Sequence, residues 1–304
     1  MAKCLVINHN NQSLAPTHPA RARKLLSTGR AAIVSHAPFT IKLSQKFDAP
    51  PIHIQELVER GATFIVNHSS GKDSQAMAAY VRSFVPDNQI LILHAPLGDV
   101  EWDGCPEHIQ KTTRGLAYRE AKAVKTFFEM VDRSQKWPKP TMRQCTSDLK
   151  RGPIQREVRR YAKETGNGLI VQCIGLRAEE SPNRAKATPF AFSESNSKAG
   201  REWYEWLPLH DWKIGKVHAT IQSVGQHVHW AYRKGMSRLS CSFCIMARVD
   251  DLRRAAVLRP DLYRKYVNKE REINHSFLMP RKGKVEFLPE RIGISPIDRD
   301  KDAC

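Results

Sequence analysis

No apolar run of about 18 residues occurs anywhere in the 304-residue chain, so there is nothing long enough to form a membrane-spanning helix. The N-terminus carries no basic patch followed by an apolar stretch and a small-residue cleavage site. Together these absences predict a soluble, cytoplasmic protein with no membrane partner. Cysteine is sparse, seven residues without regular spacing. That excludes a disulfide-stapled secreted scaffold and directs attention to metal or catalytic roles. Acidic residues are also scarce: 31 against 49 lysines and arginines, a formal net charge of +18. Such an excess fits a polyanionic partner, because each neutralised phosphate releases condensed counterions. Solubility or capture of a small anion needs less charge, so nucleic acid is the expected partner.

A Walker loop is missing as well. The stretch FIVNHSSGKDSQ (64–75) is an apolar strand running into a Ser/Gly loop with one lysine, but Asp73 separates Lys72 from the hydroxyl of Ser74, and no glycine stands upstream at the Walker spacing. A Ser/Gly loop between a strand and a helix still gathers backbone N–H groups at the positive end of a helix dipole. Lys72 adds a point charge, and Ser69, Ser70 and Ser74 add hydroxyl donors.

The pattern around this loop gives the organisation. Residues 1–47 read as a small basic α+β unit: a strand at KCLVIN, a helix at THPARARKLLSTGR and one or two strands at AAIVSHAPFTIKL. DAPP (48–51) reads as a linker. From residue 52 to 290, apolar strands alternate with helices. Helices are expected at 52–60, 74–84, inside 106–131 and at 152–165, and strands at 62–67, QILILHA and LIVQCIG. This alternation predicts an α/β fold, a parallel sheet with helices on both faces, and ligands at the C-terminal strand ends, where the 68–74 loop falls. SESNSKAGR (193–201) reads as an exposed mobile loop and residues 291–304 as a flexible tail. No internal repeat is visible.

The hexapeptide SSGKDS resembles the loop of the PP-loop ATP pyrophosphatases, which split ATP into an adenylate and pyrophosphate; Ser70 occupies a usual glycine position of that loop. Five further blocks follow in order: HAPLGDVEWDG (94–104), RQCTSDLKRGPI (143–154), GLRAEESPNRAK (175–186), LPLHDWK (207–213) and GMSRLSCSFCIMA (235–247). With the loop, they resemble the phosphoadenosine-phosphosulfate-reductase-like proteins of phages and prophages, relatives of sulfonucleotide reductases and of DNA-phosphorothioation sulfurtransferases. The resemblance covers about residues 62–260. It implies the adenine nucleotide α-hydrolase-like PP-loop fold and binding of ATP, or of a nucleotide like phosphoadenosine phosphosulfate, with Mg²⁺. The implied nucleotide site is Ser69, Ser70, Gly71, Lys72, Asp73, Ser74, Gly175, Arg177, Glu179 and Glu180, with Lys72, Asp73 and Arg177 carrying catalysis. By their own chemistry Arg177, Arg184 and Lys186 could clamp phosphate. Glu179 and Glu180 could orient them or help hold Mg²⁺, or the block is a solvated charged loop. Asp99 and Glu101 are candidate metal or ribose contacts, and Asp211 a helix cap.

Cys241-x-x-Cys244 can offer two sulfurs to a metal or cluster, or form a redox dithiol. Cys145 stands in the block that resembles the cysteine-pair segment of iron–sulfur sulfonucleotide reductases, with Thr146 in place of the second cysteine. Three thiolates at Cys145, Cys241 and Cys244 would hold a [4Fe–4S] cluster with one iron open to bind and deliver sulfide. Zn²⁺ is the alternative. Cys173 and His229 are candidates for a fourth ligand, although Cys173 in its apolar strand suits a core residue. Cys4 and Cys105 read as incidental. Cys304 invites comparison with the mobile C-terminal cysteine of sulfonucleotide reductases, but the residues that flank that cysteine are absent here.

NQSLAPTHPARARKLLSTGRAAIVSHAPFTIKL (11–43) resembles the small N-terminal RRXRR/PLMP domain of IscB-type RNA-guided nucleases, which lies against guide RNA. Arg21, Arg23, Lys24 and Arg30 would then contact nucleic-acid phosphates; a solvated basic helix is the plainer reading of the same spacing. The expectation is an ATP-dependent, iron–sulfur-dependent sulfurtransferase that adenylates a nucleic-acid site and inserts sulfur supplied by a donor such as a cysteine desulfurase. Alternatives are a sulfonucleotide reductase and a non-catalytic nucleotide sensor bound to nucleic acid.

Overall fold

The computed structural model describes residues 4–7, 13–27, 31–43, 51–281 and 283–296. Cys304, Arg30 and most of the DAPP linker lie outside them.

The N-terminal unit is a four-stranded sheet: β1 Cys4–Ile7, β2 Ser13–Thr17, β3 Ala31–His36 and β4 Phe39–Leu43, in the order β2-β1-β4-β3. β1 and β4 run parallel and the other pairs antiparallel. Helix Pro19–Ser27 covers the sheet by burying Ala22 among Cys4, Val6, Ala31 and Ile41. Sequence reading missed β2, whose SLAPT contains a proline. That residue is tolerated because β2 is an edge strand, where one backbone N–H can go unpaired.

The main sheet comprises β5 Thr63–Asn67, β6 Ile90–His94, β7 Ala117–Glu120, β8 Leu169–Cys173, β9 Phe190–Phe192 and β10 Glu202–Trp206, in the order β7-β6-β5-β8-β10-β9. All neighbours are parallel except β9 and β10. The chain leaves β5 for β6 on one side and later reaches β8 on the other. The strand order therefore reverses at β5, and a crevice opens beyond its C-terminal end. The central strands β5, β6 and β8 are mostly apolar because both faces are covered. Phe64 and Val66 of β5 point to the face packed by helices Ile52–Glu59, Lys72–Val81 and Ile214–Ser223. Ile65 points to the opposite face, with Val158 and Ala162 of helix Gly152–Thr165.

The helix expected inside 106–131 is present as Cys105–Thr112, and a second, Phe127–Ser134, starts within that span; between them runs β7, a short edge strand of sequence AYRE with too few apolar residues to read as one. One expectation is corrected here. Residues 193–201 are not a loose loop but the connection from β9 to β10, tied down by Arg159 Nη1 to Asn196 Oδ1 at 3.2 Å and Ser193 N to Trp203 O at 2.8 Å.

A second core carries the C-terminal helices Val249–Leu258, Pro260–Glu272 and Leu288–Ile292. Its centre is Trp137 stacked on Tyr266, ring centroids 5.4 Å apart and planes within 7°. Cys145, Leu239 and Cys241 lie against this core. The expected tail from residue 291 is corrected at its start: Ile292 is buried, its carbonyl accepts from Arg253 Nε at 2.8 Å, and Tyr263 donates to the carbonyl of Ile294. Trp137→Ala empties the centre of this core. It should cost about 3–5 kcal/mol, read as a lowered midpoint in chemical denaturation.

Candidate nucleotide and thiol site

The loop after β5 is built by its own polar groups. Ser70 has φ +62°, the left-handed region where glycine is the low-cost residue, which explains why this position is ordinarily glycine in loops of this kind. Its N–H donates to His68 Nδ1 at 3.0 Å, while Ser69 N donates to Ser74 Oγ at 3.2 Å and Ser74 Oγ to Gly71 O at 2.9 Å. Gly71 caps helix Lys72–Val81 without a side chain, so in its first turn the N–H groups of Asp73 and Ser74 remain available to an anion, while that of Lys72 is taken by the Tyr232 phenol oxygen at 3.2 Å. Gly175 approaches from the end of β8; a Cβ there would meet Ser74 N at 3.3 Å and the Asp73 carbonyl carbon at 3.4 Å.

Charge binds these segments together. Asp73 accepts from Arg177 Nε at 2.6 Å and lies 3.6 Å from Lys72 Nζ. The 5 % exposed Arg177 also donates from Nη1 to Glu179 at 2.5 Å and to the Trp212 carbonyl at 3.3 Å. Glu180 accepts from Arg177 N at 3.0 Å and pairs with Arg184. Arg177 is thus turned toward protein acceptors, not outward as the expected phosphate clamp, and the two glutamates orient arginines. Asp211 is exposed and paired with His210 Nδ1 at 3.0 Å; helix Ile214–Ser223 is capped instead by Glu179, which accepts from Ile214 N at 2.8 Å. Asp99 is exposed and paired with Lys265 at 2.7 Å.

Beneath the loop lies a buried histidine layer that sequence reading did not find. His94 Nδ1 donates to the His68 carbonyl at 2.9 Å, and its Nε2 faces Glu101 at 3.2 Å. His108 Nε2 donates to Gln75 Oε1 at 3.2 Å. Burial pulls His68 down to about 3, with His94 and His108 adding to the effect, and burial pulls His108 down to about 4. No local periodicity distinguishes these histidines from surface ones.

Cys145 stands on the turn Gln144–Thr146, followed by a wide π turn at Ser147–Arg151. Cys145, Cys241 and Cys244 act electrostatically on one another and on Lys150. Burial pushes Cys241 up to about 11, opposed by Lys150 and reinforced by Cys244 and Cys145. Lys150 is raised chiefly by Cys241, against its own burial. Lys150 escaped the sequence reading because it follows Cys145 by five residues, and a π turn rather than the 3.6-residue period brings them together. Neither fourth-ligand candidate joins this group. Cys173 is buried in β8 within the other core. His229 accepts from Ala231 N through Nδ1 at 3.3 Å and donates from Nε2 to Asp103 O at 3.1 Å. Among the described residues, no group of three or more Cys, His, Asp or Glu is gathered to hold a metal ion.

On the N-terminal helix, Arg21 faces the main domain: it pairs with Asp87 at 3.2 Å and donates to the Arg82 carbonyl at 3.3 Å. Burial, with the charge of Arg82, pulls it down to about 10 against the pull of Asp87. Arg21 is thereby removed from the expected nucleic-acid contacts. Arg23 and Lys24 are exposed.

A Ser/Gly loop with one lysine, at the point where the strand order of a largely parallel sheet reverses, defines an α/β protein of the PP-loop class. The chain belongs to the phosphoadenosine phosphosulfate reductase domain family, which it matches over residues 63–247. Residues 4–77 match the RRXRR protein family. A curated relative, the uncharacterized 37.8 kDa protein in the gpa 5′ region of Escherichia phage 186, is 26% identical over 163 residues, 54% of this chain and 47% of the relative. The chain thus matches about half that relative's length. Among solved structures, the Candida auris phosphoadenylyl-sulfate reductase in a phosphate complex has TM-score 0.39 and 14% identity, over 65% of this chain and 98% of that one. The Methanococcus maripaludis U34-tRNA thiolase with its [4Fe–4S] cluster has TM-score 0.37 and 14% identity, over 79% and 86%. The Candida glabrata FMN adenylyltransferase has TM-score 0.38 and 12% identity, over 65% and 66%.

The histidine layer sets an acid limit. A His68 held near 3 in the fold but near 6.5 when unfolded leaves the unfolded chain binding more protons between those values. Stability is full above about pH 6.5 and falls as pH drops toward 3, by up to about 1.4 kcal/mol per pH unit. His68→Asn keeps an acceptor for Ser70 N and removes the titration. Its denaturation midpoint should depend less steeply on pH between 6 and about 4 than that of the wild type.

Proposed function

We propose that this chain is an ATP-dependent sulfurtransferase that adenylates a site on a nucleic acid and replaces the activated oxygen with sulfur delivered at Cys145, Cys241 and Cys244. The observation that carries this reading is the closeness of the thiol segment to the phosphate loop. Leu239 Cβ lies 3.8 Å from where a Cβ on Gly71 would be, and Cys241 is two residues further on.

The helix N-terminus at Lys72, its ammonium and the hydroxyls of Ser69 and Ser74 would hold the phosphates. Asp73, fixed by Arg177, would stand beside Mg²⁺. Attack of the target oxygen on the α-phosphorus forms the adenylate and releases pyrophosphate. Sulfide then forms the C–S bond as the C–O bond to AMP breaks, a step without change of oxidation state; sulfur arriving as a desulfurase persulfide would first be reduced to sulfide by an external thiol, which leaves as its disulfide. Catalysis rests on leaving-group activation and on neutralising phosphate charge. The donor set, three soft thiols without an imidazole or carboxylate among them, suits an iron–sulfur cluster or Zn²⁺. A [4Fe–4S] cluster held by three thiolates would supply an open iron for sulfide. Lys150 would lower the cost of gathering three thiolates, and a cysteine desulfurase is the class of donor protein to supply the sulfur. Arg23, Lys24 and Arg30 would dock the nucleic acid through phosphates.

Family membership favours one second reading, reduction of a sulfonucleotide, which requires a thiol that attacks sulfur and releases sulfite without any nucleic acid. Anaerobic purification with iron, sulfide and zinc analysis, followed by a pyrophosphate-release assay with nucleic acid, separates the two. About four irons per chain are expected; Cys241→Ser should lose most of them, and Lys72→Ala should slow pyrophosphate release by about 100-fold or more. One zinc and no iron would sink the cluster, and sulfite release without nucleic acid would establish the reductase.

A further inference from the structure

We infer that Tyr232 is a positioning residue that couples occupancy of the phosphate loop to the order of the cysteine-bearing segment 236–244. This rests on the reading of the loop as a nucleotide site. The Tyr232 phenol oxygen accepts two backbone N–H groups at once, from Lys72 at 3.2 Å and from Leu239 at 3.1 Å. Lys72 opens the helix whose N-terminus forms the phosphate site. Leu239 stands two residues before Cys241. One oxygen atom therefore joins the two halves of the proposed site.

Among the described residues, the other backbone hydrogen bonds of the segment lie toward its ends. On one side Ser237 N and Oγ donate to Asp251 at 2.8 and 2.5 Å. On the other, Ser242 N donates to the Val100 carbonyl at 2.8 Å and Arg259 donates to Ser242 Oγ at 2.9 Å. Between these anchors, among the described residues, the backbone N–H of Leu239 is the one held by a hydrogen bond, and Tyr232 holds it. The tether thus governs the stretch that leads directly into Cys241.

Ligand binding can act on this tether through the phenol's own proton. Burial holds Tyr232 up to about 12, so the group is protonated at neutral pH. Both N–H contacts use the oxygen as acceptor, which leaves the O–H for an acceptor brought by the ligand. The oxygen lies 3.5 Å from where a Cβ on Gly71 would be, and Lys72 Nζ is 5.2 Å from the ring centroid. A phosphate oxygen seated in the loop is therefore within the phenol's surroundings. Donating to that anion polarises the O–H and makes the phenol oxygen a stronger acceptor for Leu239 N–H. A coupling of this kind is reciprocal, so a fixed cysteine segment tightens nucleotide binding by the same factor. The consequence for the reaction is timing: the thiol segment is held more firmly when the activating nucleotide is in place.

The test is amide hydrogen exchange on the full chain with and without Mg²⁺–ATP, with ATP affinity measured by calorimetry for the wild type and Tyr232→Phe. In the wild type, ATP should slow exchange in the peptide containing Leu239 by about fivefold, the effect of one hydrogen bond, and leave helix Pro260–Glu272 unchanged. Tyr232→Phe should bind ATP within about tenfold of the wild type and show no ATP-dependent slowing at Leu239. Leu239→Pro deletes the donor and with it the reporter amide, so that variant is read by calorimetry: by reciprocity it should bind ATP about fivefold more weakly, which keeps the question answerable if Tyr232→Phe folds poorly. Equal ATP-dependent protection at Leu239 in Tyr232→Phe, unchanged ATP affinity in Leu239→Pro, or ATP binding to the wild type with no protection at Leu239, overturns the inference. No ATP binding to the wild type overturns the nucleotide reading on which it rests.

Discussion

The 2.6 Å ion pair between Asp73 and Arg177 is the contact on which the geometry of the phosphate site depends. Asp73 lies in the first turn of the helix after β5, where a negative charge is favoured by the helix dipole. Arg177 lies beyond the end of β8. Their bond closes the crevice at the point where the strand order reverses. A buried guanidinium is stable only if its donors are satisfied, and Arg177 meets that demand with Glu179 and the Trp212 carbonyl. Glu179 then caps the helix at Ile214. Removing Asp73 would leave a buried cation short of a partner and loosen three segments together, which is why the loop, the 175–186 block and the 207–213 block behave as one unit although they are far apart in sequence.

That unit works only because backbones come close. Gly175 lets its own strand end sit against Ser74, and a methyl group there would press on backbone atoms that cannot swing aside. The histidine layer supports the loop from below through the His94 bond to the His68 carbonyl. With its floor fixed, the loop needs little reorganisation to receive an anion, the condition under which electrostatic stabilisation is most effective.

How much of this was legible in the sequence divides along physical lines. The central strands and their helices were readable because burial on both faces forces apolar runs, and the loop was readable because strand, Ser/Gly turn and lysine stand next to one another. The edge strands β2, β7 and β9 were not, since an edge needs few apolar residues and admits a proline, and neither was the interior strand β10, whose EWYEW carries two glutamates. The long-range partners escaped entirely. Nothing in the local pattern of Tyr232, Lys150 or His94 states that each will meet residues 26 to 160 positions away. The role of Arg177 was half legible: its presence at the site was visible, but whether it faces ligand or protein is decided by Asp73 and Trp212, which only the fold brings near.

The placement of Arg21 limits how a nucleic acid could present itself. Its partners, Asp87 and the carbonyl of Arg82, lie at the C-terminal end of helix Lys72–Val81, and Arg82 holds Asp87 in turn at 2.8 Å. The phosphate loop lies at the other end of this same helix. Ten residues at about 1.5 Å each separate the two ends by roughly 15 Å. A strand docked on the exposed Arg23 and Lys24 would begin about that far from the loop, and at about 3.4 Å per nucleotide it would cover the gap in four or five nucleotides. Docking and chemistry would then fall on different nucleotides of one bound segment. The basic helix would hold the strand by its phosphates, and the recognition of the modified residue would rest with the crevice between the phosphate loop and the thiols.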